Sequence, residues 1–289
     1  MAGQRRFVDL HAHSTASDGS LSPRQVVALA DRRQLSAVAL TDHDTIDGLA
    51  EAQTAATNHP DLKVVLGIEV SARWPSGTLH LLGLGVAPDG PAIGRLSAAM
   101  LAARNDRNPK ILARLRELGV PIDISELLAI KRDQPQDQAV LGRLHMAQLL
   151  VAKRVVRSIK EAFDRYLGAG GAAYVDKERL EPAEVIRWIH AAGGLAVLAH
   201  PVQIGCQNGA QLRRAVKDFA DEGLDGIEVY HTDHNERQTR QYLELARHFG
   251  LGITGGSDFH GHGKPEAILG KPPVPLAALS ERFREKLLG

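Results

Sequence analysis

Residues 7–20, FVDLHAHSTASDGS, decide the reading of the fold. In an extended chain alternate residues share a face, so a strand over 7–12 would put Asp9, His11 and His13 on one side and Val8, Leu10 and Ala12 on the other. An HxH pair is a weak sign of metal by itself. Here Asp18 follows in the loop SDGS, and two imidazoles on one rigid element beside a carboxylate form a ligand pattern. A helix start comes next: Ser22 can cap, Pro23 fits the first helical position, Gln25 completes a capping box, and Leu21 with Val26 forms a hydrophobic staple. This helix is expected to run to about Gln34. A strand ending in polar ligands and followed by a helix is the repeating unit of a β/α barrel.

Working outward, that unit recurs. Apolar runs predict further strands at 37–41, 63–70, 78–85, 195–199, 226–230 and 251–254, and helical patterns fit 46–58, 182–192, 209–222 and 235–249. The inventory is an α/β barrel of about seven strands. Most of these strands end in metal-binding residue types: Asp42, His43 and Asp44 after the second, Glu69 after the third, His200 after the fifth, Asp258 and His260 after the seventh. In β/α barrels the C-terminal strand ends form the active face, so these groups should converge. The link SARWPSG (71–77) is too short for a parallel crossover. The fourth strand should therefore return antiparallel and bring His80 beside Glu69.

Between about 90 and 175 the rhythm stops. Helical stretches at 92–118 and 139–152, with breaks at Pro121 and Pro135, predict a helical cap over 91–174, inserted into a barrel made of 1–90 and 175–289. Residues 101–165 carry 13 Lys/Arg against 8 Asp/Glu, so the insertion is the basic part.

Composition sets the outer bounds. With 289 residues, 44% of them hydrophobic, the chain can bury a substantial core. A formal charge of +1 gives no chain-wide field for duplex DNA or a membrane surface, and residues 188–212, though uncharged, contain too many polar and turn residues for a span. No apolar stretch of signal-peptide length opens the chain, and the single Cys206 excludes an internal disulfide, so a cytoplasmic protein is expected. Thirteen His against 4% aromatics favours a metal site over a base-stacking surface. Nine candidate ligands, His11, His13, Asp18, His43, Glu69, His80, His200, Asp258 and His260, exceed what one cation can coordinate, so two or three divalent ions are expected. Mixed imidazole and carboxylate donors suit Mn²⁺, Zn²⁺ or Fe²⁺ better than Mg²⁺ or Ca²⁺.

The stretches DLHAHSTASDGSLSP, LTDHDTIDG, GIEVS, HLLGLG, AVLAHP and GSDFHG, in this order, resemble the PHP (polymerase and histidinol phosphatase) phosphoesterases over almost the whole chain. The resemblance implies a distorted seven-stranded, TIM-like β/α barrel with up to three metals. It implies one metal at His11, His13, Glu69 and Asp258, a second at Glu69, His80 and His200, and a third at Asp18, His43 and His260. Mn²⁺ leads the expected metals, and a metal-bridging hydroxide is the expected nucleophile. His231, after the strand GIEVY, is a candidate proton donor, with Asp42 and Glu69 as further catalytic candidates.

The segments ARNDRNPK and GRLHMA of the insertion offer Arg104, Arg107, Asn108, Arg143 and His145 as phosphate contacts, since guanidinium forks match phosphate oxygens. Trp74 could stack one base. Within the family the resemblance is nearest to bacterial 3′,5′-nucleoside bisphosphate phosphatases and 5′→3′ RNA-trimming enzymes. It implies a small nucleotide such as pAp, or a short single-stranded RNA, as substrate. Three rivals remain in view: a histidinol phosphate phosphatase, a non-catalytic PHP metal-binding module, and an amidohydrolase. The last generally bridges its metals through a modified lysine, and no lysine ends a suitable strand here.

Overall fold

The computed structural model describes residues 6–132, 141–176 and 178–289. The expected break at Pro135 lies outside them, as do the first two residues of the helix expected at 139–152. Among the described residues eight strands form one sheet: β1 (Phe7–Asp9), β2 (Ala37–Leu40), β3 (Lys63–Ala72), β4 (Leu79–Leu84), β5 (Leu195–Leu198), β6 (Gly226–His231), β7 (Gly252–Gly256) and β8 (Val274–Pro275). Their spatial order is β7-β6-β5-β4-β3-β2-β1-β8. Neighbours run parallel except around β4, antiparallel to both β3 and β5, and at β8, antiparallel to β1. The short connection over 73–78 enforces the reversal, and Ser71 lies opposite His80 in the ladder.

Beyond β1 the chain closes the barrel against β7 and its following loop. Leu10 N–H donates to the Gly255 carbonyl (3.0 Å), Asp258 N–H to that of His11 (2.9 Å) and His13 N–H to that of Phe259 (2.9 Å). Gly256 permits this approach, because a Cβ there would meet the His11 Cβ at 2.4 Å. The closure corrects the expected face of β1. Val8 and Leu10 join the core inside the barrel while Ala12 joins the core beneath the helices, so alternation breaks between Leu10 and Ala12. Asp9 consequently leaves the face of His11 and His13. Its Oδ1 accepts from Ser257 N–H (2.9 Å) and its Oδ2 from Gly270 N–H (2.6 Å), tying β1 to the closing loops.

The helices around the sheet follow their caps. α1 (Pro23–Arg32) begins at Ser22 with the expected capping box, and α2 (Leu49–Ala56) follows β2. α7 (Pro182–Ala191), α8 (Gly209–Asp221) and α9 (Glu236–Phe249) surround the second half, each within two residues of its predicted bounds. β8 and the C-terminal helix α10 (Glu281–Leu288) are additions that the sequence reading did not include. From α10, Phe283 plugs the barrel floor, where Cβ atoms on Gly226 and Gly252 would collide with its ring.

Within the insertion, α3 (Pro91–Glu117) is one long helix spanning two cores. Its first half buries Ile93, Leu96 and Met100 against the barrel, and its second half buries Ile111, Leu112 and Leu115 in a separate cluster. That cluster is completed by α4 (Ile124–Arg132), α5 (Arg143–Ala152), α6 (Ile159–Ala162) and a π-helical turn at Phe163–Leu167. Among the described residues no helix is long and apolar enough to cross a membrane.

Candidate metal centre

Strand alternation explains which groups face the barrel axis. Val65 packs inside the barrel, so Gly67 and Glu69 continue its inward row along β3. Leu82 and Leu84 do the same on β4, and because β4 is reversed, His80 of that row stands at the upper end beside Glu69. Ala37 and Ala39 lead through Thr41 to His43, which bridges to Glu69 past the end of β2. His200 and Asp258 reach the site from positive φ angles of 24° and 55°. These are strained for residues other than glycine and are characteristic of functional positions.

The result is one buried carboxylate facing five imidazoles. Glu69 Oε1 lies 2.7 Å from His80 Nδ1 and 2.9 Å from His200 Nε2, and those two nitrogens are 3.3 Å apart. Glu69 Oε2 lies 2.8 Å from His43 Nδ1, 3.2 Å from His13 Nε2 and 3.4 Å from His11 Nε2. Asp258 Oδ1 faces the same His13 and His11 nitrogens at 3.1 and 3.4 Å. Asp18 Oδ1 stands 3.2 Å from His260 Nε2, with His43 Nε2 3.8 Å from Oδ2. All nine predicted ligands are thus brought together. His43 lies between the Asp18 group and Glu69, and His13 lies between the Asp18 and Asp258 groups.

Donor chemistry fits cations. Burial works against charge on Glu69, Asp258 and Asp18, yet the surrounding histidines, led by His43 at Glu69, His11 at Asp258 and His260 at Asp18, hold all three well below the usual carboxylate range. The reciprocal effect overcomes burial at His11, held well above its ordinary value by Glu228, Glu69 and Asp258. His13 is raised to about 10, chiefly by Asp258 and Glu69. Protons on these imidazoles stand where positive ions would serve. His11 Nε2, both ring nitrogens of His13, His43 Nδ1 and Glu69 Oε2 are buried without a hydrogen bond of good geometry, although each has donors or acceptors around it. Two donors bound to one ion at about 2.1 Å in tetrahedral geometry are about 3.4 Å apart, close to the separations seen here.

Asp42, expected as a catalytic candidate, is engaged by the loop after β1. It accepts hydrogen bonds from Ser14 N–H (2.7 Å), Ser14 Oγ (2.7 Å) and Ser17 Oγ (2.6 Å), which fixes the loop carrying His13 and Asp18. Asp42→Ala should therefore destabilise the fold by about 3 kcal/mol in urea unfolding, since it leaves buried donors unmatched. Excess metal should recover much of its turnover, whereas an Asp42 that moved a proton would leave a defect no metal concentration repairs.

A cavity of about 210 Å³ runs from Asp18, His43 and His80 to the insertion, where Arg104, Arg107, Arg143 and His145 line it together with Arg179. The arginines differ in how they are held. Arg104 Nε and Nη2 both donate to Asp44 Oδ2 (3.1 and 2.5 Å), joining α3 to the loop after β2, and its Nη1 lies where a Cβ on Gly142 would crowd it. Arg143 donates to the Leu167 carbonyl and packs over the rings of Phe163 and Tyr174. Arg107 is buried, and its hydrogen bonds go to the neutral Asn108 Oδ1 (3.3 and 3.0 Å), while Asn108 itself donates to the Leu141 carbonyl. Burial above all, then Arg143 and Arg104, pushes the Arg107 guanidinium down to about 9, still charged at neutral pH. His145 Nδ1 accepts from Gly142 N–H, capping α5. Trp74 lines the cavity wall half-buried, its Nε1 donating to the Ile204 carbonyl (2.8 Å) and its ring packing on Phe219 of the core.

Three residues near the site escaped the sequence reading. Arg179 lies beyond the insertion's expected end yet lines the cavity. Lys264 holds Asp258 Oδ2 at 3.0 Å. Glu228, wholly buried, contacts His11 and His200. A signal for Glu228 was present in GIEVYH, where Ile227 and Val229 face the helices and so turn residue 228 inward.

A β/α barrel whose strand ends gather imidazoles and carboxylates around a central buried glutamate, beneath an arginine-lined cavity, is the architecture of a metal-dependent phosphoesterase. The chain belongs to the PHP domain family, which matches residues 9–251. It is 35% identical over 252 residues to a 5′-3′ exoribonuclease of Haemophilus influenzae, covering 87% of this chain and 89% of the relative. It is 34% identical over 277 residues to a 3′,5′-nucleoside bisphosphate phosphatase of Chromobacterium violaceum, covering 92% and 93%. The crystal structure of a candidate metal-dependent phosphoesterase from Bifidobacterium adolescentis superposes with a TM-score of 0.85 at 30% identity, covering 98% of this chain and 96% of that one.

Proposed function

We propose that this protein is a cytoplasmic phosphatase that removes the 3′-phosphate from nucleoside 3′,5′-bisphosphates such as pAp and also trims short 5′-phosphorylated oligoribonucleotides. The cofactors are two or three divalent cations, Mn²⁺ first among them, held by His11, His13, Asp18, His43, Glu69, His80, His200, Asp258 and His260. One observation carries the reading. A single cavity is lined by Asp18, His43 and His80 of the candidate metal centre and by Arg104, Arg107, Arg143 and Arg179, a distribution of charge that suits a ligand with two phosphates. Residues 91–174 act as the cap that supplies most of these arginines. The names of the two relatives point the same way.

The cations supply Lewis acidity, activating water near neutral pH and neutralising phosphoryl charge. Other work falls to the chain. Arg107, Arg143 and Arg179 hold the distal phosphate, with Asn108 setting the plane of the Arg107 fork. His231 Nδ1 accepts from Asp233 N–H (3.0 Å), so a neutral ring carries its proton on Nε2. That nitrogen is buried without a hydrogen bond, 3.7 Å from Asp258 Oδ2, placing a proton donor at the edge of the centre for the leaving oxygen.

A phosphate-release assay tests the proposal. The metal-depleted protein should be inactive and Mn²⁺ should restore it. With Mn²⁺, adenosine 3′,5′-bisphosphate should be turned over far faster than AMP or histidinol phosphate, and a 5′-phosphorylated RNA tetramer should be shortened. Preference for histidinol phosphate, or full activity after chelation confirmed by elemental analysis, would falsify it.

A further inference from the structure

Glu228 lies on the inward row of β6 and has no exposed surface. Its carboxylate serves two partners. Oε1 is 3.1 Å from His11 Nδ1, and Oε2, 3.4 Å from the same nitrogen, accepts the backbone N–H of His200 at 2.8 Å. An ionised carboxylate can only accept, so the His11 contact requires the proton on Nδ1. Nε2 faces Glu69 and Asp258, so once a metal replaces the ring's second proton it is this nitrogen that would present the lone pair.

His200 is held differently, through its main chain. Its φ of 24° and ψ of 69° form a conformation that residues other than glycine avoid. The hydrogen bond to Glu228 anchors that backbone, and from it the ring reaches Glu69 Oε1 at 2.9 Å and His80 Nδ1 at 3.3 Å. Together with His231, His11 and Glu228 are close enough to suggest another cation site. His11 argues against it, because a ring whose Nε2 serves the Glu69 and Asp258 group keeps Nδ1 protonated toward Glu228.

We infer that Glu228 is a positioning residue for the metal centre, setting the tautomer of His11 and the backbone of His200, one ligand on each side of Glu69. The inference rests on the metal-centre reading proposed above. It also explains why the position needs a carboxylate. Glutamine has the same shape but one acceptor and one NH₂ group. Turned one way, its NH₂ opposes the His200 N–H. Turned the other way, it donates to His11 Nδ1 and drives the ring proton to Nε2, where it blocks a metal.

Metal binding by the full chain, measured by competition with a chromophoric chelator for Zn²⁺, is the primary test. Glu228→Gln should weaken binding ten- to a hundredfold at unchanged helicity by circular dichroism, the loss typical when a partner of a ligating histidine is removed. Long-range ¹H–¹⁵N spectra of the Zn²⁺-loaded wild type should show His11 protonated at Nδ1 and unprotonated at Nε2. A merely structural glutamate would leave Zn²⁺ affinity within about threefold, and that result, or a wild-type His11 with its proton on Nε2, overturns the inference. If Glu228→Gln does not fold, the wild-type spectrum decides alone. Absence of Zn²⁺ binding by the wild type would instead remove the metal-centre reading on which the inference stands.

Discussion

Glu69→Gln should strip more than one equivalent of metal from the protein and lower turnover by at least about a thousandfold, a loss of roughly 4 kcal/mol in transition-state stabilisation. Both oxygens of this side chain are committed. Oε1 faces His80 and His200, and Oε2 faces His43, His13 and His11, all within 3.4 Å. Histidines on every side, His43 and His80 first, keep the carboxyl ionised despite complete burial, so one negative charge faces two groups of imidazoles. The amide removes that charge and one of the two acceptors while keeping the volume, so the barrel should remain folded. His260→Ala gives the contrast, because its ring contacts Asp18 and the edge of Asp258 but not Glu69, and it should cost no more than one equivalent. Elemental analysis of both variants beside circular dichroism decides the matter. A Glu69→Gln protein with its full metal complement would show that the carboxylate does not join the two groups.

The convergence of the candidate ligands was legible in sequence because strand geometry is local. Alternation along β2 and β3 turns His43 and Glu69 inward, and the link before β4 is short enough to force the reversal that brings in His80. The same logic failed where backbone irregularity intervened. Pairing of the chain after β1 with residues 255–259 breaks the alternation past Leu10, which removes Asp9 from the face it was expected to share. A two-residue strand such as β8 has no period to detect, and nothing local announces that Phe283 needs Gly226 and Gly252 to make room for its ring. Partnerships across long separations were equally invisible. That Asp42 would be occupied by Ser14 and Ser17, and Arg104 by Asp44, depends on segments that meet only in three dimensions. Glu228 is the one omission with a usable signal, a charged residue on the inward row of an apolar strand.

Arg107→Met should separate substrate recognition from folding. Removing one charge-assisted phosphate contact costs about 1.5–3 kcal/mol, or roughly ten- to a hundredfold in kcat/KM for a 3′,5′-bisphosphate. A generic aryl phosphate, which engages only the metals, should be nearly unaffected. The distal phosphate also positions the scissile bond, so kcat for the bisphosphate should fall with affinity, and rising salt should weaken the bisphosphate reaction selectively. Arg107 suits this test because its fork rests on the neutral Asn108, and methionine removes a buried charge without leaving a carboxylate behind. The free protein should keep its urea midpoint or gain slightly. Arg104→Met should behave in the opposite way, since it abandons the fully buried Asp44, whose Oδ2 is 2.5 Å from Arg104 Nη2, and should lose about 3–5 kcal/mol of stability. Its activity should then fall for both substrates. Equal losses toward bisphosphate and aryl phosphate in Arg107→Met, at unchanged stability, would mean that this guanidinium holds no second phosphate, and the charge spacing of the cavity would need another ligand.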